Sequence, residues 1–111
     1  MYYIHGFYKI KKLSNYKKNQ QEIKNFFISK SVRGTLIISP EGINGTIAGK
    51  KINLNKCINL IKKKFSISSF DNQNLSKCKF QPFYRAKVKI KKEVVPIGLK
   101  LNDQQKKKGK Y

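Results

Sequence analysis

Residues 32–49 read VRGTLIISPEGINGTIAG, and the alternation in this stretch decides the fold. Leu36 and Ile38 point to one side of an extended chain, while Thr35, Ile37 and Ser39 point to the other. Pro40, Gly42, Asn44 and Gly45 supply the fixed and positive backbone angles that a chain reversal needs, so the stretch predicts two strands folded back on the turn PEGING.

The remaining elements fall into place around that hairpin. Tyr2 to Ile10 alternates as a strand, with Tyr2, Ile4, Tyr8 and Ile10 on one face and Tyr3, His5 and Phe7 on the other. Gly6 in its middle reads as a point of close helix approach. Ser14 or Asn15 offers an N-cap for a helix over Tyr16 to Lys30, with Ile23, Phe26, Phe27 and Lys30 at helical spacing. After the hairpin, Asn53 caps a second predicted helix running to Phe65, whose apolar stripe is Leu54, Ile58, Ile61 and Phe65 with Cys57 at its border. Ser66 to Asn74 lacks periodicity and reads as a loop, and Leu75 to Gln81 as a short strand. From Arg85 to Val95 the alternation is the most regular in the chain. Ala86, Val88, Ile90 and Val94 face one way and Arg85, Lys87, Lys89, Lys91 and Glu93 the other, before Pro96 and Gly98 end the strand.

This order predicts a ferredoxin-like βαββαβ plait: an α+β fold with an antiparallel sheet and two helices on one face. The domain is expected over residues 1–100, with 101–111 a basic linker or tail. The first and last strands are expected side by side, which would set Tyr3, His5 and Phe7 next to Arg85, Lys87, Lys89 and Lys91 on the uncovered face.

Composition narrows the function without fixing it. Of the 111 residues, 32 are Leu, Ile, Val or Phe, enough for one folded domain with a modest core. Twenty-six basic residues against five acidic give a formal charge of +21, which favours a polyanionic partner such as nucleic acid. The abundance of Lys, Asn and Ile is also what an AT-rich coding sequence produces without selection for binding, so both readings of the charge stay open. Two widely spaced cysteines and a single histidine support neither a zinc site nor a disulfide framework, and buried, reduced thiols are expected. No apolar run approaches the roughly 20 residues of a membrane span, and the cytoplasm is the expected compartment.

The two stretches VRGTLIISPEGINGTIAG and QPFYRAKVKIKKEVVPIG, in that order and separated by a helix-length insert, resemble the N-terminal, acylphosphatase-like domain of the rhodanese-type tRNA uridine hydroxylases. The similarity covers essentially the whole chain. It implies an enzyme that uses molecular oxygen to hydroxylate C5 of the wobble uridine, with the key cysteine in a rhodanese domain. Neither Cys57 nor Cys78 lies in a rhodanese-like active-site loop, so no catalytic residue, cofactor or metal is assigned to this chain. The implied partners are the tRNA anticodon region and the rhodanese domain of a longer protein.

Candidate RNA contacts are the aromatics Tyr3, His5 and Phe7, the basic Lys87, Lys89 and Lys91, and the two arginines Arg33 and Arg85, whose planar forks suit phosphate or a carboxylate pair. Glu41 and Asn44, on the hairpin tip, are secondary candidates. Packing against neighbouring strands or the missing domain is the competing role for the aromatics, and the sheet lacks the aromatic pattern of an RNA-recognition motif. Two other functions compete: a domain that only braces the rhodanese module, and an acylphosphatase-like hydrolase. The latter needs an arginine in the anion-binding loop after the first strand, where this chain reads KIKKLSN.

Overall fold

The computed structural model describes residues 1–92. Seven elements follow one another: β1 (Tyr2–Ile10), α1 (Gln20–Ser29), β2 (Arg33–Ser39), β3 (Gly42–Gly49), α2 (Lys51–Phe65), β4 (Asn72–Cys78) and β5 (Ala86–Ile90). They form a five-stranded sheet in the order β4-β1-β3-β2-β5 with both helices on one face. The plait is as expected from the sequence, but its pairing differs: β5 runs parallel to β2, so the sheet is mixed rather than purely antiparallel.

The strand next to β1 is not the last one. β4 takes that edge, pairing Tyr2 with Cys78 through Tyr8 with Asn72, and β5 lies at the opposite edge beside β2. The expected juxtaposition of β1 with the basic strand is therefore overturned. β3, α2 and β4 form a parallel crossover that flanks β1, so both sides of β1 are taken and β5 pairs with β2 at the other edge of the sheet. β4 itself occupies residues assigned above partly to a loop; six of its seven residues are exposed, so no apolar alternation marks it.

The two faces of β1 are also exchanged. Phe7 pairs with Gly45, His5 with Ile47 and Tyr3 with Gly49, which puts them on the helix-covered side with the fully buried Ile43 and Ile47. Phe7 is 4% exposed and its ring stacks on Phe70 at 4.6 Å. Gly45 makes this possible: a Cβ there would lie 2.7 Å from Phe7 Cζ. Gly45 is thus a mid-strand residue, and the turn is only Pro40–Glu41, closed by Ser39 Oγ, which accepts from Glu41 N at 3.0 Å and donates to Gly42 O at 3.3 Å. Gly42, at φ +146, approaches the Lys9 carbonyl too closely for any side chain. Gly6 faces away from the helices, against the Asn74 side chain, and not towards a helix as expected.

Helix α1 starts later than its sequence suggests. Asn15 adopts a left-handed backbone (φ 52), and the N-cap is Asn19, without a side-chain cap bond. Helix α2 begins at Lys51, two residues before the expected cap, and buries Leu54, Ile58, Ile61, Phe65 and also Cys57. The core lies between these helices and the inner residues of β1, β2, β3 and β5, with Phe27, Ile23, Leu36 and Ile38 fully buried. The strand reading for Arg85 to Val95 is shortened to five residues. Glu93, Val94, Pro96, Gly98 and the 101–111 tail lie outside the described residues.

Candidate nucleic-acid interface

The face of the sheet opposite the helices is organised by strand register into three rungs. Lys87, Thr35, Thr46, Gly6 and Asn74 form one; Lys89, Ile37, Asn44, Tyr8 and Asn72 form the next; Arg33, Ala48, Ile4 and Ser76 form a third. Five strands at about 4.8 Å spacing make this surface roughly 19 Å across. The missing side chain at Gly6 opens a shallow depression of about 260 Å³, walled by Asn44, Asn72 and Asn74. Amides and hydroxyls dominate the middle, tyrosine rings mark the β1 line, and lysines mark the β5 edge.

No rung carries a carboxylate. Among the described residues the acidic groups are Glu22, Glu41 and Asp71. Glu22 pairs with Lys64 at 2.7 Å, and Asp71 pairs with Lys9 at 3.3 Å. Asp71 also accepts from Ile10 N at 2.7 Å, and this bond above all holds its carboxyl below the usual range. Glu41 sits in the hairpin turn.

The predicted contacts separate accordingly. Lys87 and Lys89 are exposed on the open face, and Lys91 follows them, its backbone N–H bonded to Ile38 O. Tyr3, His5 and Phe7 are not available there: His5 is held edge-on to Phe7 and Phe70 and bonds Gln73 at 2.8 Å, and Tyr3 packs against the core beneath Lys51. Glu41 and Asn44 do not share a tip, since Asn44 is half-buried in β3 opposite Ile37 and Tyr8.

The arginines converge. Arg33 donates from Nη1 to Phe83 O at 3.4 Å, and Gly34 N donates to Arg85 O at 3.0 Å, so the loop between β4 and β5 is tied to the start of β2. Gln81 anchors the same loop by donating to Ala48 O at 3.0 Å. Sequence reasoning missed what this loop displays: Phe80 is 66% exposed and Tyr84 95% exposed. The available signal was the pairing of aromatics with one of only two arginines in FYR.

Two further features bear on chemistry. Cys57 is fully buried, and burial pushes its thiol up to about 12, which leaves it protonated and unreactive. In the loop between β1 and α1, Lys11 donates to Ser66 O and no arginine is present, so the anion loop that a hydrolase of the acylphosphatase kind needs lacks its guanidinium. Among the described residues there is no cluster of His, Cys, Asp or Glu able to hold a metal, and no helix long and apolar enough to cross a membrane.

Residues 2–94 match the model of the UPF0176 acylphosphatase-like domain. The chain belongs to this family. Within the acylphosphatase-like domain family, the match spans all seven elements, the whole of VRGTLIISPEGINGTIAG and the second motif stretch as far as residue 94. The chain is 51% identical over 107 residues to the tRNA uridine(34) hydroxylase of Pelagibacter ubique (strain HTCC1062), covering 96% of this chain and 36% of that protein. It is 33% identical over 98 residues to the tRNA uridine(34) hydroxylase of Teredinibacter turnerae (strain ATCC 39867 / T7901), covering 88% of this chain and 30% of that protein. The acylphosphatase-like domain thus spans about a third of the length of these relatives. An acylphosphatase from Coxiella burnetii superposes with a TM-score of 0.52 at 10% identity, covering 78% of this chain and 90% of that structure, which identifies the shared fold.

Proposed function

We propose that this domain is the RNA-facing N-terminal module of a cytoplasmic tRNA uridine(34) hydroxylase, and that it binds and orients the anticodon region for chemistry carried out elsewhere in the protein. The observation that carries this reading is the open sheet face, where Lys87, Lys89, Arg33, three asparagines and Tyr8 are presented over three rungs without a carboxylate. Such a surface attracts a polyanion along its length and offers both hydrogen-bonding groups and ring faces to unpaired bases. Burial keeps the Cys57 thiol protonated, and we assign oxygen-dependent hydroxylation to the rhodanese part of the longer protein.

A titration of the domain with an anticodon stem-loop across a salt series tests the reading. Log affinity should fall with log salt by roughly 0.7–0.9 for each phosphate neutralised. Replacing Lys87 and Lys89 with Gln should make that slope shallower without unfolding the domain, since both side chains are exposed. Binding no stronger than that of a size-matched lysine-rich control would overturn it.

A further inference from the structure

Tyr84 is 95% exposed, an unusual position for a tyrosine in a chain whose other described tyrosines are all at least partly buried. It borders two depressions at once. One, of about 380 Å³, lies on the open-face side, with Thr35, Phe83, Arg85 and Lys87 around it. The other, of about 320 Å³, lies towards α1, with Lys24, Ile28, Arg33 and Arg85 around it. Tyr84 and Arg85 belong to both, and each depression has room for a single nucleobase.

The loop that carries Tyr84 is held in place independently of any ligand. Gln81 grips the β3 backbone and accepts from Phe83 N at 3.3 Å, Arg33 holds Phe83 O, and Gly34 holds Arg85 O. A ring presented on an anchored loop loses little freedom when it stacks, which is what a preorganised binding element requires. No carboxylate among the described residues pairs with Arg85. The carboxylates Glu41 and Asp71 lie at the other end of the sheet, beside Ile10. Among the described residues the charged groups that line the two depressions, Lys24, Arg33, Arg85 and Lys87, are all basic.

We infer that Tyr84 is a stacking wedge for single-stranded RNA, taking one unpaired base on each side of its ring while Arg85 holds the phosphate that links them. This rests on the RNA-facing reading above and adds a site to it, at the end of the sheet where β2 and β5 begin. An aromatic ring accepts any base through its π-face, so the wedge confers preference for unpaired over paired RNA and not for a sequence. Arg85 provides a fork that a lysine cannot copy, and Lys24 and Lys87 continue the positive path into either depression.

The test is a set of binding titrations of the wild-type domain, Tyr84→Ala, Tyr84→Phe and Arg85→Lys. The probes are a short oligouridylate and an abasic sugar–phosphate chain of the same length. Tyr84→Ala should weaken oligouridylate binding by about 5- to 150-fold for each base that stacks on the ring. Tyr84→Phe should retain the affinity, and binding of the abasic chain should be unchanged by either. Arg85→Lys should weaken binding of both chains. If Tyr84→Ala binds oligouridylate as tightly as the wild type while the Lys87 and Lys89 substitutions weaken it, the wedge is overturned and the RNA-facing reading stands. If the wild-type domain binds neither chain above the lysine-rich control, both are overturned.

Discussion

Substituting Gly45 with Ala tests the feature of the fold that the sequence concealed, namely which side of β1 faces the helices. The added methyl would lie 2.7 Å from Phe7 Cζ and 3.2 Å from Leu36 Cδ1, where carbon atoms prefer about 3.5–4.0 Å. The Phe7 ring cannot retreat freely, because it is stacked on Phe70 at 4.6 Å and both rings are buried. Overpacking of this kind costs about 1–3 kcal/mol, offset by about 0.4–1 kcal/mol from the reduced freedom of the unfolded chain. The expected net loss is about 1–2 kcal/mol. For a domain of this size that lowers the melting temperature by roughly 4–16 °C.

The same substitution in a Phe7→Leu background should cost much less, since the smaller side chain leaves space for the methyl. A double-mutant cycle by urea unfolding should therefore show a coupling of about 1 kcal/mol in the direction of relief. If Gly45→Ala is neutral, or costs the same in both backgrounds, Phe7 does not lie over Gly45 and β1 presents its other face to the core. The alternative placement predicts that Phe7→Ala leaves the domain folded. The buried ring predicts a loss of about 3–5 kcal/mol.

Two further outcomes follow from the ionisable groups. Asp71 has a lowered folded pKa, so its contribution is fully present above the ordinary carboxylate value of 3.8 and is lost as pH falls through the lower folded value. The wild-type domain should be more stable than Asp71→Asn at pH 5, with the gap closing towards pH 3; a gap independent of pH would contradict the bond to Ile10. Cys78 should react with a thiol reagent at pH 8 in the folded protein while the buried Cys57 reacts only on unfolding, and simultaneous labelling of both would contradict the packing of α2.

Much of the fold was legible because its inner residues alternate. Leu36 and Ile38 in β2, Ala86 and Val88 in β5, and the stripe Leu54, Ile58, Ile61 and Phe65 in α2 all face the core as their spacing demands. The failures have a common origin in elements whose two sides are chemically alike. In β1 both alternating sets carry aromatic or apolar residues, and the set richer in them faces away from the helices. The choice is made across the strand pair, by a glycine in β3 that admits a phenylalanine ring. In β4 the first three residues, Asn72 to Asn74, are polar on both sides, so the start of this edge strand resembles a loop until its backbone is seen to pair with β1. With β4 beside β1, β5 is excluded from that place and pairs with β2 instead, and the site moves with it. Lys87 and Lys89 keep the open face expected of them, but their neighbours become Thr35 and Ile37 instead of the first strand.

The total charge of +21 is a weak argument for RNA, because codon composition alone can fill a surface with lysine. Arginine is a different matter. The 111 residues hold 26 basic side chains, and only Arg33 and Arg85 among them are arginines. Fifty-two positions of sequence separate them, yet the fold brings both to one loop, Arg33 bonded to Phe83 O and Arg85 bonded through its carbonyl to Gly34. A compositional drift towards lysine has no reason to leave its two exceptions in the same place. Beside them stands the most exposed aromatic of the described chain, while the hairpin-turn and β1-end carboxylates lie at the opposite end of the sheet. Placement, not the number of charges, gives the β2–β5 end of the domain its claim to a phosphate and a pair of bases.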